Sequence, residues 1–195
     1  MLAGANDVAS VANYAARMRN YSDEGEYLHG AYGFRWREWF GFDQLAEVVA
    51  LLKREPNTRR AVLTMWSPSG DLIASEGMGG MSAKDLPCNT HIYFRRREHH
   101  LTMTVCCRSN DAIWGAYGAN AVHFSVLQEY VAAATNMGIG TMYQLSNDFH
   151  IYKSLPQFAA LWNAGPGSNP YEQQKFVSLI GEGENADMFM KDCER

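Results

Sequence analysis

"PCNTHIYFRRREHHLTMTVCCRS", Pro87–Ser109, is the stretch on which the fold turns. Two runs rich in β-branched and aromatic residues, Thr90–Phe94 and Leu101–Cys107, flank the polar segment Arg95–His100, and this spacing predicts a β-hairpin. Cys88 stands directly after a proline and directly before the first of these strands. Residue type and position alone leave it open as a core residue, half of a disulfide, a metal ligand or a nucleophile. The run Arg95-Arg96-Arg97 has the composition of a phosphate site, but a hairpin tip is normally solvated, and no role is assigned to it.

Outward from the hairpin, "DQLAEVVALLK" (Asp43–Lys53) places Leu45, Val48, Val49 and Leu52 at helical spacing, and Glu55-Pro56-Asn57 stops that helix. "RRAVLTMW" (Arg59–Trp66) predicts a strand. Ser67–Pro87 carries Gly70, Gly77, Gly79 and Gly80 and reads as a long loop. "NAVHFSVLQEYVAAATNMG" (Asn120–Gly138) predicts a long helix, capped by Asn120 at its start and closed by glycine. "TMYQLSNDFHIY" predicts another strand, "QFAALWNAG" a short helix, and the N-terminal twenty residues an amphipathic helix. Strands and helices mix without a regular βαβ alternation, so the expected class is α+β, a mixed sheet with flanking helices and one long central helix. The 195 residues fit a single domain, 1–195.

The composition is that of a globular protein, 47% hydrophobic and 19% charged. A net charge of −4 argues against a general nucleic-acid binder, which needs a basic face. No apolar run approaches the roughly 20 residues of a membrane span, and the N-terminus has no secretory pattern. The four cysteines form no C-x-x-C pair, which argues against a structural zinc site. Adjacent Cys106 and Cys107 on a strand face opposite ways and are poorly placed to bridge each other. Together these features make the cytoplasm the expected compartment.

Four segments, in order, carry a family resemblance: "PNTRRAVLTMW", "LPCNTHIYF", "CRSNDAIWGAYGANAVHFSVL" and "SNDFHIY", with "YGFRWREW" as a fifth, weaker match. Together they resemble thymidylate synthase, from about Leu2 to about Phe158. The resemblance implies methylation of dUMP to dTMP at C5, with 5,10-methylenetetrahydrofolate as co-substrate. It makes Cys88 the nucleophile. C5 of uracil is a poor nucleophile until a thiolate adds at C6, and this needs a cysteine whose pKa is lowered from its usual value of about 8.5. Arg108 holds the family's position for lowering it. Asn120 holds the position of the amide that donates to O4 and accepts from N3–H.

By the same resemblance, Arg108 and Ser109 bind the nucleotide phosphate, while Arg59 and Arg60 reach the phosphate in the neighbouring site of a homodimer. Guanidinium groups suit phosphate because they can bind it through two parallel hydrogen bonds. His150 and Tyr152 fall where the family binds the deoxyribose 3′-hydroxyl, and as i and i+2 on a strand they face one way. Asp111 and Gly115 fall where it contacts the folate. No metal, nucleic acid or membrane is implied.

Asn89 follows Cys88 where the family usually has histidine, and the tryptophan-bearing segment near the folate has no counterpart in "ARMRNYSDEG". The chain opens inside the family's first helical region, so the expectation is a domain without the family's N-terminal segment. Two further readings accompany the first. One is a dUMP or dCMP hydroxymethylase, in which water replaces hydride in the last step. The other is a catalytically inactive nucleotide-binding protein of the same fold.

Overall fold

The computed structural model describes residues 1–72, 83–165, 178–181 and 184–193. Its centre is the hairpin. β1 (Val62–Thr64), β2 (Asn89–Arg97) and β3 (His100–Cys107) are antiparallel neighbours, and β5 (Gly138–Ser146) joins the far side of β3 in parallel. The sheet is therefore mixed, and with the helices against it the fold is α+β. β4 (Asn110–Asp111) and β6 (Phe149–His150) form a separate parallel pair beyond the end of β3.

The hairpin is longer than its apolar pattern suggests. Its strands run through the arginines to Arg97 and restart at His100, leaving a turn at Glu98, whose φ is +55°. Backbone pairing continues where side chains have become polar, because ladder hydrogen bonds do not depend on side-chain polarity. β1 is shorter than the expected Arg59–Trp66, and pairing with β2 sets its length.

One face of the sheet is dry. Leu63, Ile92, Phe94, Leu101, Met103 and Val105 are buried there. They pack with α3 (Gln44–Arg54) and α4 (Asn120–Ala134) in a single core. Asp43 caps α3 by accepting from the Ala46 N–H, and Leu45, Val48, Val49 and Leu52 all point inward as their spacing predicts. α4 buries Phe124, Leu127, Gln128 and Val131, one helical stripe. Gln128 Nε2 donates to the carbonyls of Leu101 and Gly140, pinning α4 across the β3–β5 seam at its register shift. A Cβ on Gly140 would lie 2.8 Å from Leu101 O, so that seam needs a glycine.

Two expected helix caps differ. Asn120 does not cap α4. The chain enters α4 through wide π-helical turns at Ala112–Ala119, and Asn120 is itself helical, with its side chain free to point elsewhere. At the other end Asn136, not Gly138, takes the left-handed conformation, at φ +56°. It lies two residues after Ala134, the last residue of the helix, and Gly138 already belongs to β5. The N-terminal helix also breaks: α1 spans Val8–Tyr14 and a 3₁₀ segment covers Ala16–Tyr21. α2 (Tyr32–Arg37), α5 (Pro156–Asn163) and α6 (Ala186–Cys193) complete the described helices.

The loop expected at Ser67–Pro87 begins with a π-helical turn, Pro68–Leu72. Its stretch 73–82 lies outside the described residues. A buried pair anchors its start. Arg35 donates to both Asp71 oxygens at 2.8 and 2.9 Å and stacks over the Trp39 ring at 3.8 Å. Both side chains are 1% exposed, so neither charge can be removed alone without leaving the other buried and unpaired. No helix among the described residues is long and apolar enough to cross a membrane.

Candidate active site

Cys88 sits at the entrance to β2, half-buried, where that strand meets the exit of β3. Arg108, just past β3, holds this segment three times. Its backbone N–H donates to Cys88 O at 2.9 Å, Nε to Pro87 O at 3.1 Å and Nη2 to Leu86 O at 3.4 Å. The guanidinium lies 5.3 Å from the centre of the Trp66 ring. Of the five N–H donors on a guanidinium, these bonds use two, so a fixed cation with spare donors stands beside the thiol.

The thiol's acidity departs from expectation. Burial pushes the Cys88 pKa up, Arg108 pulls it down, and Asp85 pushes it up again, with burial the largest influence. Arg108 is thus the acidifying group expected, but it does not win in the free chain. Asp85 has its own pKa raised, chiefly by burial, and accepts from the Gly30 N–H at 3.0 Å. No pattern marked Asp85, because an acid in a loop normally reads as solvated.

Cys107 is a second thiol at this end of the sheet, buried, with its pKa pushed up to about 12 by burial and by Cys88. It donates to Asn89 Oδ1 at 2.9 Å. Asn89 is fully buried, and its Nδ2 has no partner in the structure. Cys106, one residue earlier, turns to the other face of the sheet, as strand alternation requires. Cys88, Cys106 and Cys107 form no disulfide.

Asn120 enters the site from the first turn of α4. Its Nδ2 donates to Asn110 Oδ1 at 3.0 Å, and its Oδ1 accepts from the Tyr32 hydroxyl at 3.2 Å. Tyr32 stacks on Phe124 with ring centres 5.8 Å apart, and burial and the nearby Cys88 push its phenol pKa well up. It therefore remains a hydrogen-bond donor at neutral pH. Gly115 lies against the Asn110–Asn120 bond, and a Cβ there would collide with Asn110 Oδ1. Asp111 uses Oδ1 to cap the Trp114 N–H, while its buried Oδ2 has no partner in the structure.

His150 and Tyr152 meet edge to face, ring centres 5.1 Å apart, and His150 Nδ1 is buried without a hydrogen bond. Only His150 lies in a strand, so contact between the rings and not strand alternation brings them together. Ser109 occupies the turn between Arg108 and β4. Arg59 and Arg60 are exposed and precede β1, where Ala61 O accepts from Phe94 N. They lie at the hairpin-tip end, roughly 20 Å along β2 from Cys88 by strand rise. Arg60 pairs there with Glu55 at 2.8 Å.

A half-buried thiol, a guanidinium and an aromatic-backed amide at one end of a mixed sheet define the class: an α+β protein with a candidate cysteine-centred site. Residues 1–166 match the family model described as thymidylate synthase, and the chain belongs to the thymidylate synthase family. It is 51% identical to a deoxyuridylate hydroxymethyltransferase of Pseudomonas phage M6, over 80% of this chain and 42% of that protein. A thymidylate synthase of Francisella philomiragia is 29% identical, over 78% of this chain and 58% of that protein. Among solved structures, T4 phage thymidylate synthase superposes with a TM-score of 0.69 at 21% identity, covering 97% of this chain and 70% of that one. The chain spans about two fifths of the phage hydroxymethyltransferase it matches.

Proposed function

We propose that the chain carries the nucleotide-binding and nucleophile-bearing part of an enzyme that transfers one carbon to C5 of deoxyuridylate. One observation carries the reading: Arg108 clamps the backbone of Leu86, Pro87 and Cys88 while its charge stands beside the Cys88 thiol. The Cys88 thiolate adds to C6 of dUMP, and the displaced ring electrons collect on O4. Asn120 has one amide hydrogen and one oxygen lone pair beyond its bonds to Asn110 and Tyr32. The hydrogen meets O4 and the lone pair meets N3–H, stabilising the charge where it develops. Phosphate on Arg108 and Ser109 is proposed to hold the nucleotide against the thiol. The unpartnered His150 Nδ1, beside Tyr152, supports their assignment to the 3′-hydroxyl.

The folate co-substrate supplies the carbon at methylene oxidation level. Asp111 and Gly115 are the residues proposed to hold it, and the free buried oxygen of Asp111 suits a ring N–H donor. For the last step we propose addition of water, giving hydroxymethyldeoxyuridylate. The 51% identity to a deoxyuridylate hydroxymethyltransferase favours it. Thymidylate formation is the second reading, favoured by the 29% identity to a thymidylate synthase. Tritium released from C5-labelled dUMP tests Cys88 addition, and the product formed separates the two endings. No release from folded chain that binds dUMP would leave only a nucleotide-binding protein.

Assembly as a homodimer, in a cytoplasmic setting, belongs to the same proposal. The sheet face away from the core exposes Val62, Tyr93, Tyr143 and Leu145, with Tyr143 at 56% and Leu145 at 64%. Their register makes them neighbours across β1, β2, β3 and β5, so the patch is contiguous. A second copy docked on that face is the partner proposed to offer Arg59 and Arg60. Sedimentation should show a dimer, and Leu145→Glu should shift it to monomer.

A further inference from the structure

Two side chains, Asn110 and Gln144, link Asn120 to a backbone carbonyl in one unbroken direction. Gln144 Nε2 donates to Ala116 O at 3.2 Å, and Asn110 Nδ2 donates to Gln144 Oε1 at 3.3 Å. Asn120 Nδ2 then donates to Asn110 Oδ1, and the Tyr32 hydroxyl donates to Asn120 Oδ1. A backbone carbonyl can only accept, so Gln144 must turn its NH₂ toward Ala116. Its oxygen therefore faces Asn110, which must answer with NH₂. The oxygen of Asn110 then faces Asn120, which must again answer with NH₂. Ser146 Oγ adds a second acceptor for Asn110 Nδ2 at 3.0 Å. Asn110 is 1% exposed, and Gly115 closes over the Asn110–Asn120 bond, which is buried.

An unrestrained asparagine amide is ambiguous. In one orientation it complements uracil, which offers O4 as acceptor and N3–H as donor. Rotated by half a turn, it complements cytosine, which offers a 4-amino donor and an N3 acceptor. Asn120 alone therefore does not choose between them. We propose that Asn110 and Gln144 are positioning residues that set base specificity. They lock the Asn120 amide in the uracil-reading orientation, with the Ala116 carbonyl as the fixed reference. This rests on the reading that Asn120 meets the base. Neither Asn110 nor Gln144 touches the nucleotide in this account. A flipped Asn120 would set its oxygen against the oxygen of Asn110, and avoiding that repulsion is the source of discrimination.

The test is the ratio of dissociation constants for dUMP and dCMP, measured by titration calorimetry on the full chain and its variants. The unmodified chain should prefer dUMP about tenfold or more, because the wrong base leaves buried groups unpaired. Asn110→Leu keeps the bulk and removes the lock, so the preference should fall to about twofold, mostly through tighter dCMP binding. Asn110→Asp still presents an acceptor to Asn120 and should keep a clear dUMP preference, though its shape matches leucine no worse than asparagine does. Gln144→Met lies on a half-buried strand position and should lose an intermediate share of the preference even if Asn110→Leu does not fold. Equal weakening of both nucleotides in Asn110→Leu and Gln144→Met would reduce these residues to packing and overturn the inference. Asn120→Asp separates the two levels. If it moves the ratio while Asn110→Leu and Gln144→Met do not, the relay fails alone. If it leaves the ratio unchanged, Asn120 does not read the base, and both claims fall.

Discussion

The two ends of the central sheet are both furnished with arginine, and they could hardly be more different. At the hairpin tip, Arg95, Arg96 and Arg97 stand with Arg59 and Arg60, mostly exposed. Arg96 turns its Nε to the carbonyl of Glu98, and Arg60 turns to Glu55. At the opposite end Arg108 is anchored on two carbonyls beside Trp66, a half-buried thiol and a buried amide network. Water screens the first group, and each exposed pair is worth little. The second acts in a drier place, where one charge shifts the titration of its neighbours. Arginine number is thus a poor guide to a site, whereas an anchored guanidinium with donors to spare is a good one.

The largest expected effect breaks the site end directly. Arg108→Ala removes the clamp on Cys88 and the charge-assisted donor proposed for the phosphate, so dUMP affinity should fall roughly tenfold to a hundredfold. Arg96→Ala, at the tip, should leave affinity unchanged in the same titration. Equal losses at both ends would erase the contrast.

A second experiment sharpens the role of the tip. If Arg60 serves the neighbouring subunit, Cys88→Ser and Arg60→Ala are each inactive alone yet complement when mixed. One site in each heterodimer then carries neither lesion, and random exchange should restore about a quarter of the unmodified activity. No recovery after demonstrated subunit exchange would place Arg60 outside the site.

A smaller effect separates the two charges acting on the thiol. Asp85 raises the Cys88 pKa and Arg108 lowers it. Asp85→Asn should therefore move the alkylation profile of Cys88 to lower pH and speed its reaction at neutrality. Arg108→Ala should move the profile to higher pH. Shifts of the same sign would show that neither charge reaches the sulfur.

The contrast also explains what could be read from the chain alone. The hairpin, α3 and the buried stripe of α4 follow from apolar spacing, and the structure has them all. The site residues came from a family resemblance, since Cys88, Asn120 and His150 each have an ordinary structural reading by themselves. Asn120 shows why. An asparagine at the start of a helical pattern signals a cap, but the π-helical turns before α4 make it helical and release its amide. Asn110, Gln144 and Tyr32 left no signal, because their bonds join residues up to 88 positions apart. Polar residues in strands usually look outward. Here β4 and β5 fold over at the site end, and the same residues form a buried network. Asp85 was hidden for a similar reason: its burial depends on α2 and the Gly30 turn, which no local pattern encodes.

The measurement closest to the central claim is covalent capture. 5-Fluorodeoxyuridylate, offered to the full chain with methylenetetrahydrofolate, can accept a thiolate at C6 but cannot lose fluorine from C5, so addition becomes permanent. Mass spectrometry should find the nucleotide on the peptide that contains Cys88, and the Cys88→Ser chain, still folded and still binding dUMP, should carry none. An adduct that persists in Cys88→Ser, or its absence from an unmodified chain that binds dUMP, would contradict the assignment of Cys88 as nucleophile.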